Sequence, residues 1–139
     1  MSLEENKQIV RRYQEIYNSN HLDELGSVMS FDVLTPKIMP NMPSGLEGAK
    51  AVHQKTLLGM PDFRTEIQEL IAEGDKVVAR VLMTGTHTGD FYGIPATGKS
   101  VEFTGVFIVR IADGKIVEHW GEEDSYGLLL QLGMKLKSG

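Results

Sequence analysis

Residues 101–110 set Phe103, Gly105, Phe107 and Val109 on one side of an alternation and Glu102, Thr104, Val106, Ile108 and Arg110 on the other. No other feature constrains the fold of this chain so strongly. β-Branched and aromatic residues recurring at every second position make a strand, and residues 63–72, 76–88 and 115–123 read the same way. The last two strands are joined by Ala112, Asp113 and Gly114, which is hairpin-turn chemistry. Helical patterns come before the strands. Ser2 and Glu5 form a capping box, and Ile9, Val10, Tyr13, Ile16 and Tyr17 then fall on one face of a helix ending near Asn18. Asn20 is positioned to cap a short second helix through Leu22, Leu25 and Met29, and residues 31–42, with Pro36 and Pro40, read as extended or looped. Leu46, Ala49, His53, Leu57 and Met60 share the face of a third helix, and residues 125–132 make a closing one that stops at Gly133.

Helices first and hairpin-linked strands second indicate an α+β domain, with helices gathered on one face of an antiparallel sheet. The 139 residues are enough for one domain spanning 1–139 and too few for two ordinary ones. Both faces of the strands at 76–88 and 100–111 are partly apolar. One helical layer covers one face, so the other calls for a partner, and a homodimer through the outer sheet face is the economical expectation.

Composition narrows the function classes. A net charge of -5 with scattered lysines and arginines gives no electrostatic grip on nucleic acid or an anionic membrane. The absence of cysteine removes thiolate nucleophiles and cysteine-bound zinc. No apolar run approaches membrane-spanning length and the N-terminus lacks a signal-peptide pattern, so a cytoplasmic location is expected. The stretch GIPATGKS at 93–100 has the spacing of a phosphate-binding loop. Such a loop feeds a helix N-terminus, whereas a strand follows here and Pro95 removes one amide donor, so the segment reads as an inter-strand loop.

The tyrosine-bearing first helix, G-x-H-x-G at 85–89, G-x-P-x-T at 93–97, R-x-x-D-G-K-I at 110–116 and Q-L-G at 131–133 run over nearly the whole chain. Together they resemble the SnoaL-like polyketide cyclase, or ester cyclase, family of the NTF2-like fold. The resemblance implies a cone-shaped α+β barrel, with helices on the concave face of a curved antiparallel sheet enclosing an apolar pocket, usually in a dimer. It also implies intramolecular aldol closure of aromatic polyketide esters without metal or cofactor. The family places an aspartate in the last strand and a histidine in the strand before it. Aligned through the shared turn, those positions are Gly121 and Phe107.

Aldol chemistry needs a base next to a carbonyl and a group that stabilises the enolate. Which side chains meet depends on the hairpin register. A three-residue loop sets Phe107 opposite His119, Gly105 opposite Gly121 and Phe103 opposite Glu123, whereas a two-residue turn brings Trp120 and Asp124 inward. On the first register, which the resemblance favours, His119 is the candidate base, with Glu123 or Asp124 as the carboxylate that orients it. Tyr13, Tyr17, His53, Met83, Phe103, Phe107 and Gly121 make up the expected substrate lining. Met29, Met39, Met42 and Met60 are further candidates for an adaptable apolar wall, or ordinary core. His87 is expected to anchor its loop and His21 to lie exposed. Histidines at 21, 53, 87 and 119 have no metal-ligand spacing. Three functions remain open: cofactor-free proton abstraction on a small, apolar or aromatic carbonyl compound, non-catalytic binding of a hydrophobic metabolite, and a hydratase or isomerase reaction using the carboxylates at 118 and 122–124.

Overall fold

The computed structural model describes residues 1–36 and 40–138. Met39 therefore lies outside the described residues. The elements are α1 (Leu3–Ser19), β1 (Met29–Leu34), α2 (Gly45–Gly59), β2 (Arg64–Glu73), β3 (Lys76–Thr86), β4 (Ser100–Ala112), β5 (Lys115–Glu123) and α3 (Ser125–Gln131), with a 3₁₀ turn at Leu22–Ser27 after α1. The capping box is present: Glu5 N donates to Ser2 Oγ, and Ser2 N donates to the Glu5 carboxylate, both at 3.0 Å. Asn20 does not cap a second helix. It ends α1 in the left-handed conformation at φ 61°, and its side chain is engaged elsewhere.

The five strands form one curved open sheet in the order β1-β5-β4-β3-β2. The four strands read from the sequence are antiparallel neighbours, and β1 adds a fifth that runs parallel to β5, making the sheet mixed. Val77, Ala79, Val81 and Met83 of β3 and Val101, Phe103, Val109 and Ile111 of β4 are buried on one face. Helix α1 packs over β2 and β3 on that face and sinks Val10 and Ile16 completely. Each such side chain contributes about 1.5–3 kcal/mol through removal from water. The phosphate-loop spacing at 93–100 leads straight into β4, so no helix N-terminus follows it.

The β4–β5 hairpin corrects both registers considered above. Asp113 and Gly114, at φ 51° and 77°, form a two-residue turn with Ala112 paired to Lys115. That turn alone would bring Trp120 and Asp124 inward. Ile111 then pairs with Ile116 but Arg110 with Glu118, so Val117 is an extra, bulged residue. The bulge restores the parity, and His119, Gly121 and Glu123 share the face of Phe107 after all. Their partners are displaced by two residues from the three-residue-loop expectation: Val109 faces His119, Phe107 faces Gly121 and Gly105 faces Glu123.

Candidate active site

Gly121 and Phe107 are direct cross-strand partners on the face that α1 packs against, and aromatic rings gather beside them. Tyr13 of α1 meets Phe107 edge-on at 6.0 Å and His119 at 5.8 Å, while Phe107 and His119 stack diagonally at 5.0 Å and 25°. Tyr17, one turn along α1, lies 3.7 Å from the His53 ring and meets Phe63 edge-on at 6.4 Å. Phe103 packs against Phe63 and is paired with Met83 across β3–β4. Of the expected lining, then, Tyr13, Phe107, Gly121 and His119 are brought together, with Tyr17 and His53 beside them. Met83 and Phe103 form the buried end of the same wall.

The Tyr13 hydroxyl lies 3.5 Å from His119 Nε2, a long and weak bond whose direction follows the ring tautomer. Burial lowers the His119 pKa to about 4, against a smaller raising effect from a bond between the ring and its own backbone. Burial pushes the Tyr13 phenol up to about 12 and that of Tyr17 higher still. Tyr13 is thus a hydrogen-bond donor throughout the neutral range.

The carboxylates divide between separate tasks. Asp124, expected as a candidate partner of His119, is exposed and caps α3, accepting from Gly127 N at 2.9 Å. Glu118 pairs with Arg110 on the outer face, and Glu122 points outward too. Glu123 faces inward but sits four residues from His119 on one strand, about 13 Å between Cα atoms at strand spacing. It stands at the pocket rim, keeps exposed surface, and has its carboxyl pKa raised by the crowding walls. Neither carboxylate orients His119.

His53 is fully buried, donates from Nε2 to Asn20 Oδ1 at 3.0 Å, and has its pKa lowered to about 4 by burial. Its Nδ1 has no partner. His87 anchors its loop as expected, with Nδ1 2.9 Å from Thr97 Oγ1 and Nε2 donating to the Ile94 carbonyl at 3.2 Å. His21 is exposed. Met29, Met42, Met60 and Met83 are buried in different parts of the core rather than gathered as one wall. Among the described residues, no three histidine, aspartate or glutamate side chains come together as a metal site requires, and no helix is long and apolar enough to cross a membrane.

Two contributors escaped the sequence reading. Gly105 makes room for the buried Met83 side chain beside Glu123, since a Cβ there would stand 2.7 Å from Met83 Cε. The other is the turn at Tyr92 and Gly93, closed by the backbone hydrogen bonds between Phe91 and Ile94.

Known proteins share this fold. The family model for SnoaL-like polyketide cyclases matches residues 7–132. The chain is 31% identical over 129 residues to aklanonic acid methyl ester cyclase DnrD of Streptomyces peucetius, covering 90% of this chain and 88% of the relative. It is 30% identical over 124 residues to nogalonic acid methyl ester cyclase of Streptomyces nogalater, covering 84% and 89%. The solved structure of TsrD from Streptomyces laurentii superposes with a TM-score of 0.86 at 29% identity, covering 96% of this chain and 98% of the other. Motifs, sheet and relatives agree, and the chain belongs to the SnoaL-like polyketide cyclase family.

Proposed function

We propose that the protein closes a ring in a small, largely apolar aromatic carbonyl ester by intramolecular aldol chemistry, with His119 as base and Tyr13 as hydrogen-bond donor. The observation that carries this reading is the Tyr13 hydroxyl at His119 Nε2 inside an aromatic pocket. His119 Nε2 takes the proton from the carbon next to a carbonyl, and the enolate oxygen accepts from Tyr13. The enolate carbon forms the new carbon–carbon bond to a second carbonyl, whose π pair becomes an alkoxide. The proton on His119 then goes to that alkoxide, so atoms and charge balance. Phe107 and Gly121 occupy the positions where the family carries histidine and aspartate, and they supply a flat, open floor for the ring system. The named ester cyclases among the relatives support the substrate class.

A homodimer is the assembly that accompanies this reading. Ile71, Val78, Ile108 and Trp120 form one apolar row across β2, β3, β4 and β5 on the outer face. Ile71, Ile108 and Trp120 are 57%, 41% and 44% exposed, a patch of the kind that a second copy covers.

The test is incubation with an anthraquinone-type polyketide methyl ester, followed by chromatography, beside His119→Ala. Closure by the wild type and its loss in the variant are expected. Tight binding of the ester with no closure would replace this reading with that of a metabolite-binding protein.

A further inference from the structure

A buried imidazole that acts as a base has to be held at one ring angle, and hydrogen bonding does little of that work around His119. Rotation about the last side-chain bond of a histidine is broad, with two roughly equivalent settings, so its surroundings must choose one. Among the described residues no carboxylate pairs with His119, and the ring's only hydrogen bond to another residue is the 3.5 Å contact with the Tyr13 hydroxyl. A bond that long fixes direction poorly.

Packing supplies what the hydrogen bond does not. Val109 stands directly opposite His119 on β4 and is completely buried, which pins the root of the side chain. Phe107 is the diagonal neighbour, and its ring lies against the imidazole at 5.0 Å and 25°. Tyr13 closes the edge of the pair, meeting Phe107 at 82° and His119 at 74°. Diagonal neighbours on a sheet are about 7–8 Å apart, so large or aromatic side chains are needed to meet across the gap. They meet here because the residue directly opposite Phe107 is Gly121, which has no side chain to stand between them. A Cβ at Gly121 would lie 3.6 Å from His119 Cε1 and 3.7 Å from Phe107 Cβ, so the imidazole fills the room beside the glycine and comes against the phenyl ring. An aromatic ring laid across a cross-strand glycine helps to pin a sheet, and in this sheet it also pins a histidine.

We infer that Phe107 is the positioning residue of His119: by stacking it fixes the plane of the imidazole, and the Tyr13 hydroxyl then selects which of the two settings is kept. This rests on His119 being the base, as proposed above. A carboxylate that oriented the ring would also favour its charged form. The phenyl ring orients it without adding charge, which suits an imidazole that burial holds neutral.

NMR of the wild type, Phe107→Leu and Phe107→Tyr, each also assayed for closure of an anthraquinone-type polyketide methyl ester, tests this. In the wild type the His119 ring protons should be shifted upfield by the Phe107 ring current and show nuclear Overhauser contacts to that ring. Phe107→Leu keeps an apolar wall without a flat face. Its upfield shift should vanish and kcat should fall by about tenfold to 100-fold, the scale of a misplaced catalytic group, with KM little changed and the thermal midpoint reporting a folded protein. Phe107→Tyr keeps the flat ring and should keep both the shift and kcat. His119 ring protons at ordinary positions in the wild type, an unchanged kcat in Phe107→Leu, a change confined to KM, or equal loss of kcat in both variants would overturn the positioning role. A wild type that shows the shift but neither closes the ester nor exchanges the proton next to its carbonyl would instead overturn the reading of His119 as base, and this inference with it.

Discussion

Phe107 and Gly121 face each other across the β4–β5 ladder, so the two positions to which the resemblance assigns the family's histidine and aspartate form one continuous patch here. The patch holds a ring and an empty place. His119, two residues before Gly121 on the same face, stacks on Phe107 and is the imidazole nearest the patch.

Gly121→Asp should be accepted by the fold. A Cβ at Gly121 would meet His119 Cε1 at 3.6 Å and Phe107 Cβ at 3.7 Å, ordinary contact distances. The new carboxylate would stand beside the imidazole and favour its charged form. The His119 pKa, followed by NMR titration, should rise from about 4 toward its ordinary 6.5, with a thermal midpoint close to wild type.

Buried neutral histidines make stability depend on pH. Both His53 and His119 are lowered to about 4 from an ordinary 6.5, so the unfolded chain takes up protons first as pH falls. Stability should therefore be full above about pH 6.5 and decline from there to about pH 4. Glu123, whose carboxyl is raised, acts with the opposite sign: its contribution is present at low pH and lost as pH rises through its folded pKa. Its position at the rim keeps that effect small. Thermal midpoints measured between pH 7.5 and pH 4.5 should fall with pH, and His53→Gln should flatten the slope.

Hairpin parity shows how far the sequence could be read. The Asp-Gly turn was legible, and so were both candidate sets of inward residues, but the Val117 bulge leaves no compositional mark and decides between them. Strand β1 was hidden for a related reason. It has six residues, buries Met29 and Val33, and pairs in parallel with a strand distant in sequence. Short parallel edge strands are specified by tertiary contacts more than by local pattern. The capping box, the loop-anchoring His87 and the two tyrosines of α1 were legible because each acts through local geometry. That Asp124 would cap α3 instead of serving His119 followed only once the strand end was fixed.

The close approach of the β3–β4 loop to α2 should be intolerant of a methyl group. A Cβ on Gly89 would lie 2.1 Å from the Leu58 carbonyl oxygen. Gly89→Ala should cost more than about 2 kcal/mol, read as a shift in urea midpoint.

A charge in the outer apolar row should separate the subunits. Ile108→Lys places an ammonium between Val78 and Trp120, and light scattering should report a dimer for the wild type and a monomer for the variant. The spectrum of the folded state should be retained, since Ile108 lies away from the pocket.

The proposed base also sets the shape of the rate profile. With His119 lowered to about 4 and Tyr13 raised to about 12, kcat/KM should be level across the neutral range and fall only as pH approaches 4. Gly121→Asp, by raising the histidine, should move that acid limb upward.

Hydrogen–deuterium exchange at the carbon next to the substrate carbonyl, followed by NMR in D₂O, tests proton abstraction by His119 most directly. The wild type should exchange that position with an anthraquinone-type polyketide ester bound, and His119→Gln should slow exchange by about 100-fold or more, the scale of general-base catalysis. Exchange that persists undiminished in His119→Gln, or that never occurs in the wild type, would contradict the account.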